Sequence, residues 1–198
     1  MTKSYAPNLH AALVHYPVLN KNKDVIAAAV TNLDLHDISR AAKTYGVKTF
    51  YVVTPLRDQI DLVARIVAHW TDGSGSVYNP KRRQALELIQ VQETLDAVVN
   101  HIRNRSDHKK TPKTVVTSAR QKEGTLSFAG FRKLLKTGNP YLLVLGTAWG
   151  LSDNIIVGAD YVLAPLKGTT SYNHLSVRSA AAVIFDRLLG RLDDSNVT

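Results

Sequence analysis

Residues 168–190 read "GTTSYNHLSVRSAAAVIFDRLLG", a polar loop that continues without a break into an apolar helix. The helix is predicted from apolar residues that recur at helical spacing, namely Val177, Ala180, Ala181, Ile184 and Leu188. Polar or turn-forming residues fill positions 168–174 and Ser176, whereas a helix cap requires only one such residue. A cap at Asn173 or Ser171 leaves most of this group unexplained.

Upstream of this loop, short β-branched runs alternate with helical patterns. Strands are predicted in "AALVHYP", "VKTFYVVTP", "LELIQVQ", "KTVVTSA", "PYLLVLG" and "YVLAPL". Helices are predicted between them in "LRDQIDLVARIVAHW", "ETLDAVVNHIRNR" and "SFAGFRKLLKTG". This rhythm predicts an α/β fold, a mostly parallel sheet with helices on both faces. Residues 70–83, "WTDGSGSVYNPKRR", are predicted as a long ordered loop leading into a helix, and the tail 193–198 as disordered.

The length of 198 residues fits a single domain, 1–198. No apolar run approaches the roughly 20 residues that a membrane span requires, and the N-terminus lacks the apolar core of a secretory signal. The chain has no cysteine, which excludes disulfides and thiolate metal sites. We therefore expect a cytoplasmic protein without a membrane partner.

The positive charge is large and clustered. The formal net charge is +9 and the pI is near 9.8. The excess gathers at residues 81–83, at residues 103–110, and at Arg132, Lys133 and Lys136. Such a surface attracts polyanions, and nucleic acid is the natural candidate because binding releases its counterions. A membrane surface or an acidic protein would be attracted in the same way, and a solvated basic face is the simpler alternative.

Three loops that follow predicted strands are candidate ligand sites, because ligands of parallel sheets bind at the carboxyl ends of the strands. They read "TSARQKEG", "GTAWGLSDN" and "KGTTSYNHLS". No dinucleotide-binding fingerprint or P-loop is present, and "GTAWG" has alanine where a nucleophile elbow requires serine. The seven histidines show no metal-binding spacing, so we expect no metal.

Residues 32–47, "NLDLHDISRAAKTYGV", predict a helix with one apolar side and one polar ridge. Asp34 is a candidate cap, and the predicted buried residues are Leu35, Ile38, Ala41, Ala42 and Tyr45. His36, Arg40 and Lys43 or Thr44 line up on the opposite ridge. Spacing alone favours a solvated face with an Asp37–Arg40 ion pair.

Taken together, these loops and this helix resemble the SPOUT superfamily of RNA methyltransferases, in its SpoU/TrmH-like branch. "DLHDISRAAKTYGV" resembles the first motif of that branch, "YLLVLGTAWGLSD" the second and "DYVLAPLKGTTSYNHLSVRSAAAVIFDRL" the third, in that order. The chain is similar to a small bacterial group of stand-alone enzymes that carry "YNP", "GTAWGL" and "YNHLSVRSA" signatures. The resemblance implies a C-terminal deep trefoil knot over about residues 113–190, an exception to the rule against knots. It also implies a homodimer packed through the knot and S-adenosylmethionine (SAM) as cofactor.

The resemblance assigns roles residue by residue. The implied cofactor-binding residues are Thr117, Ser118, Ala119, Leu145, Gly146, Thr147, Ala148, Trp149, Gly150, Leu151, Leu163, Pro165, Leu166, Gly168, Tyr172, Asn173, His174, Leu175 and Ser176. The implied catalytic residues are Arg40, which matches the arginine that the branch uses at the ribose hydroxyl, Asn173 and Ser176. The expected RNA-binding residues are Arg40, Lys81, Arg82, Arg83 and Arg178.

The chain departs from the branch at two places. Thr147, Ala148 and Trp149 replace a segment with an acidic residue, and "YNHLSVRSAAA" moves Asn173 one residue further from Ser176 and adds Arg178. The leading hypothesis is a SAM-dependent RNA methyltransferase acting on the ribose 2'-oxygen of tRNA. The alternatives are a base-nitrogen methyltransferase of tRNA or rRNA, for example at guanine N1, a catalytically inactive RNA-binding protein of the same fold, and a nucleotide-binding metabolic enzyme.

Overall fold

A six-stranded parallel sheet lies at the centre of the computed structural model, which describes residues 7–120 and 123–191. The strands are β1 (Leu9–Val14), β4 (Phe50–Val53), β5 (Ile89–Gln92), β6 (Lys113–Val116), β7 (Tyr141–Gly146) and β8 (Tyr161–Val162). Their order is β5-β4-β1-β7-β6-β8, and every neighbouring pair is parallel. A separate antiparallel hairpin joins β2 (Val18–Leu19) to β3 (Val25–Ile26). The prediction of a mostly parallel sheet is confirmed.

Helices cover both faces of the sheet, as the alternation of strand residues requires. The helices are α1 (Asn32–Tyr45), α2 (Arg57–Thr71), α3 (Ser74–Tyr78), α4 (Pro80–Leu86), α5 (Leu95–Arg105), α6 (Phe128–Leu135), α7 (Asp153–Val157) and α8 (Val177–Leu189), with a 3₁₀ turn at Asp107–Lys109. Leu9, Ala11 and Leu13 of β1 face the cluster that contains residues of α1, α2, α4, α6 and α8. Ala12 and Val14 face the cluster with α5 and α7. Both faces are therefore buried.

Two predictions of secondary structure are wrong. The segment 70–83 was expected to be a long ordered loop leading into a helix; the helix is present as α4, but the expected loop is largely helical, with the end of α2 and all of α3. The two short helices persist because they pack on α2 and α1, which a local pattern cannot reveal. The last strand is limited to Tyr161–Val162, and the chain continues as a loop after one further bridge between Leu163 and Leu126. The predicted disordered tail lies outside the described residues.

The β2–β3 hairpin closes over the carboxyl end of β7. The Leu19 amide donates to the Gly150 carbonyl at 2.9 Å, and the Trp149 amide donates to the Leu19 carbonyl at 3.0 Å. Val18 also forms a bridge with Leu151. The loop after β7 is therefore fixed at several backbone positions. No helix within the described residues is long and apolar enough to cross a bilayer.

Candidate cofactor-binding cleft and nucleic-acid surface

A cleft of about 780 Å³ lies beyond the carboxyl ends of β6 and β7. The three loops selected from the sequence meet there, together with the start of α1 and the start of α8. The predicted cofactor residues that line the cleft are Thr117, Ser118, Ala119, Leu145, Gly146, Thr147, Ala148, Trp149, Gly150, Leu151, Leu163, Pro165, Leu166, Asn173, His174, Leu175 and Ser176. Its volume falls in the range typical of small-molecule sites.

The loop after β7 is the most constrained wall of the cleft. A Cβ atom at Gly146 would lie 2.8 Å from the Leu151 amide nitrogen, so only glycine fits there. Gly150 adopts a φ of 108°, which disfavours any residue with a side chain. Thr147 is buried, and its hydroxyl donates to the Val14 carbonyl at 2.9 Å. This geometry holds backbone groups of the loop at the cleft surface.

Two residues of the polar loop 168–176, Asn173 and Ser176, have different structural roles. The Ser176 hydroxyl accepts from the Ser179 amide at 3.2 Å and is the N-cap of α8. The Asn173 side-chain amide instead donates to the Ala119 carbonyl at 3.2 Å, which joins the third loop to the first. Asn173 is therefore a link between cleft walls, and Ser176 alone satisfies the helix terminus.

Asp34 is a cleft residue that sequence reasoning did not select. It is buried, and its carboxylate accepts from the Thr31 hydroxyl at 2.7 Å and from the Arg178 guanidinium at 3.1 Å. The predicted cap is corrected: Thr31 is the N-cap of α1, and Asp34 lies three residues later. The sequence did carry this signal, because threonine followed three residues later by an acidic residue is a capping-box pattern. The other unpredicted lining residues are Leu19, Ala28, Ala29, Thr31, Arg120, Asp153, Ile156, Ala164, Val177, Ala180 and Ile184.

His15 lies near Asp34 but does not line the cleft. It follows β1 directly and is fully buried, and the backbone of Ala28 and Ala29 lies against its ring. Burial lowers the pKa of His15, and the nearby Asp34 carboxylate opposes that shift. Its carbonyl accepts from the Ala28 amide at 2.8 Å, so the residue ties β1 to the chain that enters α1. We assign His15 a neutral, structural state.

Seven of the predicted site residues lie outside the cleft lining, and three of them, Lys81, Arg82 and Arg83, lie on α4. Arg40 is exposed on α1 and makes no ion pair within the described residues, so the expected pair with Asp37 is absent. Arg178 pairs with Asp34 and Asp37 across α8 and α1. Gly168 and Tyr172 are exposed in the loop before α8. The remaining predicted cofactor residues line the cleft.

The basic clusters separate into structural and free cations. Arg82 stacks over the Trp70 ring, with its guanidinium carbon 4.5 Å from the ring centroid, and Arg83 pairs with Glu87 at 2.9 Å, whereas Lys81 is exposed. Arg132 donates to the carbonyls of Arg187 and Gly190 at 2.8 and 2.9 Å and so terminates α8. Cations that make such contacts within the protein stabilise the fold. No group of three acidic or histidine side chains in the described part of the chain could hold a metal ion.

A family model for SAM-dependent RNA methyltransferases matches residues 8–190. The chain belongs to this methyltransferase family. The resemblance to SAM-dependent RNA methyltransferases, which was stated from three sequence motifs, is therefore confirmed. Matched residues span the sheet, the cleft and α8, so the family relationship rests on the whole described fold.

Relatives of this methyltransferase family differ in length. The chain is 46% and 43% identical, over 183 residues, to tRNA (guanine-N(1)-)-methyltransferases of Nitratidesulfovibrio vulgaris and Oleidesulfovibrio alaskensis, covering 92% of this chain but only 42% of each relative. It is 35% identical to an uncharacterized protein of Aquifex aeolicus, covering 93% of this chain and 89% of that one. The same unit therefore accounts for less than half of the first two relatives and for most of the third.

Solved structures of low sequence identity share the fold. A putative methylase family protein from Neisseria gonorrhoeae matches with a TM-score of 0.63 and 16% identity, covering 100% of this chain and 88% of that one. A SpoU methyltransferase from Streptomyces viridochromogenes, solved in complex with AdoMet, matches with a TM-score of 0.54 and 18% identity, covering 92% and 57%. The predicted architecture of the SpoU/TrmH-like branch is thus confirmed at the level of fold. The threading of the knot stays a prediction.

Proposed function

We propose that this chain transfers a methyl group from SAM to tRNA, at a ribose 2'-oxygen. The observation that carries the proposal is the meeting of three post-strand loops and the α1 terminus around one cleft, in a chain of a SAM-dependent RNA methyltransferase family. The clustered positive charge supports an RNA substrate. The proposal covers the unit described above and not the longer relatives.

The residues of the cleft fit SAM in shape and in chemistry. Gly146 and Gly150 bring backbone groups close to the space, and Leu145, Leu151 and Leu163 offer apolar surface for a flat ring. The exposed carboxylate of Asp153 also lines the cleft, which suits a ligand that carries positive charge, whereas the Asp34 carboxylate is already paired with Arg178. When bound, SAM supplies an activated methyl group on a sulfonium. The glycine backbone and the apolar wall would hold its nucleoside part.

A hydroxyl becomes a good nucleophile only when its proton is accepted or strongly polarised. Arg40 cannot serve as that acceptor in its ordinary charged state, and it lies outside the cleft lining. Asp153 and His174 are exposed side chains of the cleft that can accept a proton. We assign proton acceptance to one of these two and assign Arg40 to an RNA phosphate. Asn173 and Ser176 keep the intervening loop in place.

A homodimer packed through the knot belongs to the same proposal. Trp149, Tyr172 and Leu175 are large exposed side chains at or beside the cleft, and a second copy would cover such surface. Analytical ultracentrifugation of the purified chain tests this part independently of activity. A monomer at micromolar concentration would contradict it.

Methylation of a base nitrogen is the second candidate. Two relatives are named for guanine N1, although the match covers 42% of each. A carboxylate in the cleft, such as Asp153, could accept the proton of a guanine N–H, which is more acidic than a ribose hydroxyl. The choice between ribose and base is therefore an experimental one.

Transfer of label from SAM to RNA decides the proposal. Bulk tRNA lacking its modifications is incubated with the purified chain and labelled SAM, then digested and separated by mass spectrometry of nucleosides. A 2'-O-methylated nucleoside is the expected product, and a methylated base would establish the second candidate. RNA binding without any transferred label would overturn both.

Asp153→Asn and His174→Asn variants then identify the proton acceptor, since only the loss of the acceptor should slow methyl transfer strongly.

A further inference from the structure

Val77 and Tyr78 are the most exposed apolar residues in the segment between α2 and β5. Their exposed fractions are 83% and 85%. They end α3, and Lys81 follows them in the first turn of α4, also exposed. We call Val77, Tyr78 and Lys81 the aromatic platform. Because the side chains of Val77 and Tyr78 are both exposed to solvent, neither stabilises the fold through burial of apolar surface.

The scaffold beneath the platform is tightly built. A Cβ atom at Gly75 would lie 2.7 Å from the Trp70 ring, so glycine permits α3 to pack directly on that ring. The Asn79 side chain accepts from the Arg82 amide at 3.0 Å and caps α4, and Pro80 follows at the first helical position. The outward position of Tyr78 is therefore fixed by local packing and capping.

Arg82 belongs to this scaffold. Its guanidinium stacks on Trp70, and its Nε is buried. Trp70 also packs edge-on against His36 of α1, with ring centroids 5.4 Å apart, and burial with the nearby Arg82 charge lowers the pKa of His36. His36 lies two residues after the cleft residue Asp34. The platform is thereby joined rigidly to the helix that borders the cleft.

The charge around the platform identifies its partner. Lys81 is exposed three positions after Tyr78, Arg83 is half-exposed although paired with Glu87, and Arg40 is exposed on α1, the helix that carries His36. An exposed aromatic ring in a basic segment suits a nucleotide, whose base can stack on the ring and whose phosphate is negative. Bases are free to stack on a side chain only where the RNA is unpaired. An apolar protein partner would gain less from these cations.

We propose that the Tyr78 ring stacks an unpaired base of the RNA substrate and that Lys81 binds the adjacent phosphate. This inference rests on the proposed RNA substrate and adds the kind of RNA: a loop or single strand rather than a continuous duplex. Because Tyr78 and Lys81 do not line the cleft, the stacked base is a nucleotide other than the methylated one. Arg82 holds the platform and does not read the RNA.

Binding of fluorescent RNA to the whole chain tests the proposal. The probes are an unpaired oligonucleotide of about 12 nucleotides and a duplex of the same length, followed by fluorescence anisotropy over a salt series. Tyr78→Ala should weaken binding of the unpaired probe about tenfold and leave the duplex almost unchanged. Tyr78→Phe should bind like the parent chain. Lys81→Ala should lower the salt slope by about one.

Val157→Ala is the matched control, because Val157 is 84% exposed and lies on α7, away from the platform. It should bind both probes normally.

Equal affinities of Tyr78→Ala and the parent for the unpaired probe would overturn the inference, as would equal losses for both probes. Dissociation of an oligomer by Tyr78→Ala would assign the surface to a protein contact instead. If the parent transfers label but Tyr78→Ala binds RNA normally, only the platform fails. If the parent binds no RNA, the proposed function fails as well.

Discussion

The Arg178 guanidinium of α8 lies 3.1 Å from the buried Asp34 carboxylate of α1. A second contact of 3.4 Å joins Arg178 to Asp37, one turn further along α1. The pair connects two elements separated by 144 positions, at the rim of the cleft. This geometry describes a clamp between the first and last helices of the fold, and the RNA-binding role of Arg178 stays a prediction.

Replacing Asp34 by asparagine should destabilise the protein by about 1–3 kcal/mol, because a buried charged hydrogen bond is lost. Asp37→Asn is the control: that side chain is half-exposed, and its contact should contribute less than about 1 kcal/mol. Urea denaturation measures both. If the two variants unfold alike, the clamp is held by its outer contact, and the role given to Asp34 is wrong.

Gly146→Ala should reduce SAM affinity at least tenfold. Its added methyl group would meet the Leu151 backbone and displace the loop that lines the cleft. Gly168→Ala is the matched control in the third loop, where no atom lies within 4 Å of the new Cβ. Isothermal titration with SAM compares the variants, and circular dichroism verifies their fold. Similar affinities for both would show that the loop after β7 is not part of the cofactor site.

Ser176→Ala and Asn173→Ala should separate stability from turnover. Loss of the Ser176 cap should lower the free energy of unfolding by about 1 kcal/mol. Asn173 links two walls of the cleft through an exposed hydrogen bond, so its loss should slow methyl transfer with little change in melting temperature. Thermal denaturation and a label-transfer assay give the two readings. A melting temperature that falls as much in Asn173→Ala as in Ser176→Ala would reduce Asn173 to a structural residue.

The sheet and the cleft were readable from the sequence for a physical reason. Buried parallel strands require continuous apolar runs, such as Leu142 to Leu145, and the loops after them must gather at one edge. Loops that bind ligands can therefore be recognised in a sequence by their position after a strand and by their small polar residues. That reasoning selected the three loops, and the family resemblance then assigned their individual residues, most of which line the cleft.

Long-range pairs and short helices were not readable in the same way. Asp34 and Arg178 each look like ordinary solvated charges until the fold brings them together. In residues 70–83 the glycines indicate a loop, and helices of 5 and 7 residues are too short to show a period. The pair Asn79–Pro80 did mark a helix start, since an amide cap followed by proline at the first position is a known signature.

His10 should make the fold sensitive to acid. Burial, followed by the charges of Lys48 and His101, lowers the pKa of His10 from 6.5 to about 4, and its Nδ1 atom has no partner within the described residues. The unfolded chain therefore binds a proton at a pH where the folded chain does not. Stability from this group is complete above pH 6.5 and is lost as the pH falls towards 4, by up to about 1.4 kcal/mol per pH unit.

Urea denaturation between pH 7 and pH 4 measures this effect against a His10→Gln variant, with His174→Gln as the exposed control. The His10 variant should show a flatter decline of stability with acid, because its neutral amide cannot take up a proton on unfolding. Part of the decline should persist, since burial also lowers the pKa of His15. Parallel curves for the parent chain and His10→Gln would mean that His10 is already protonated in the folded state, and that the uptake on unfolding occurs elsewhere.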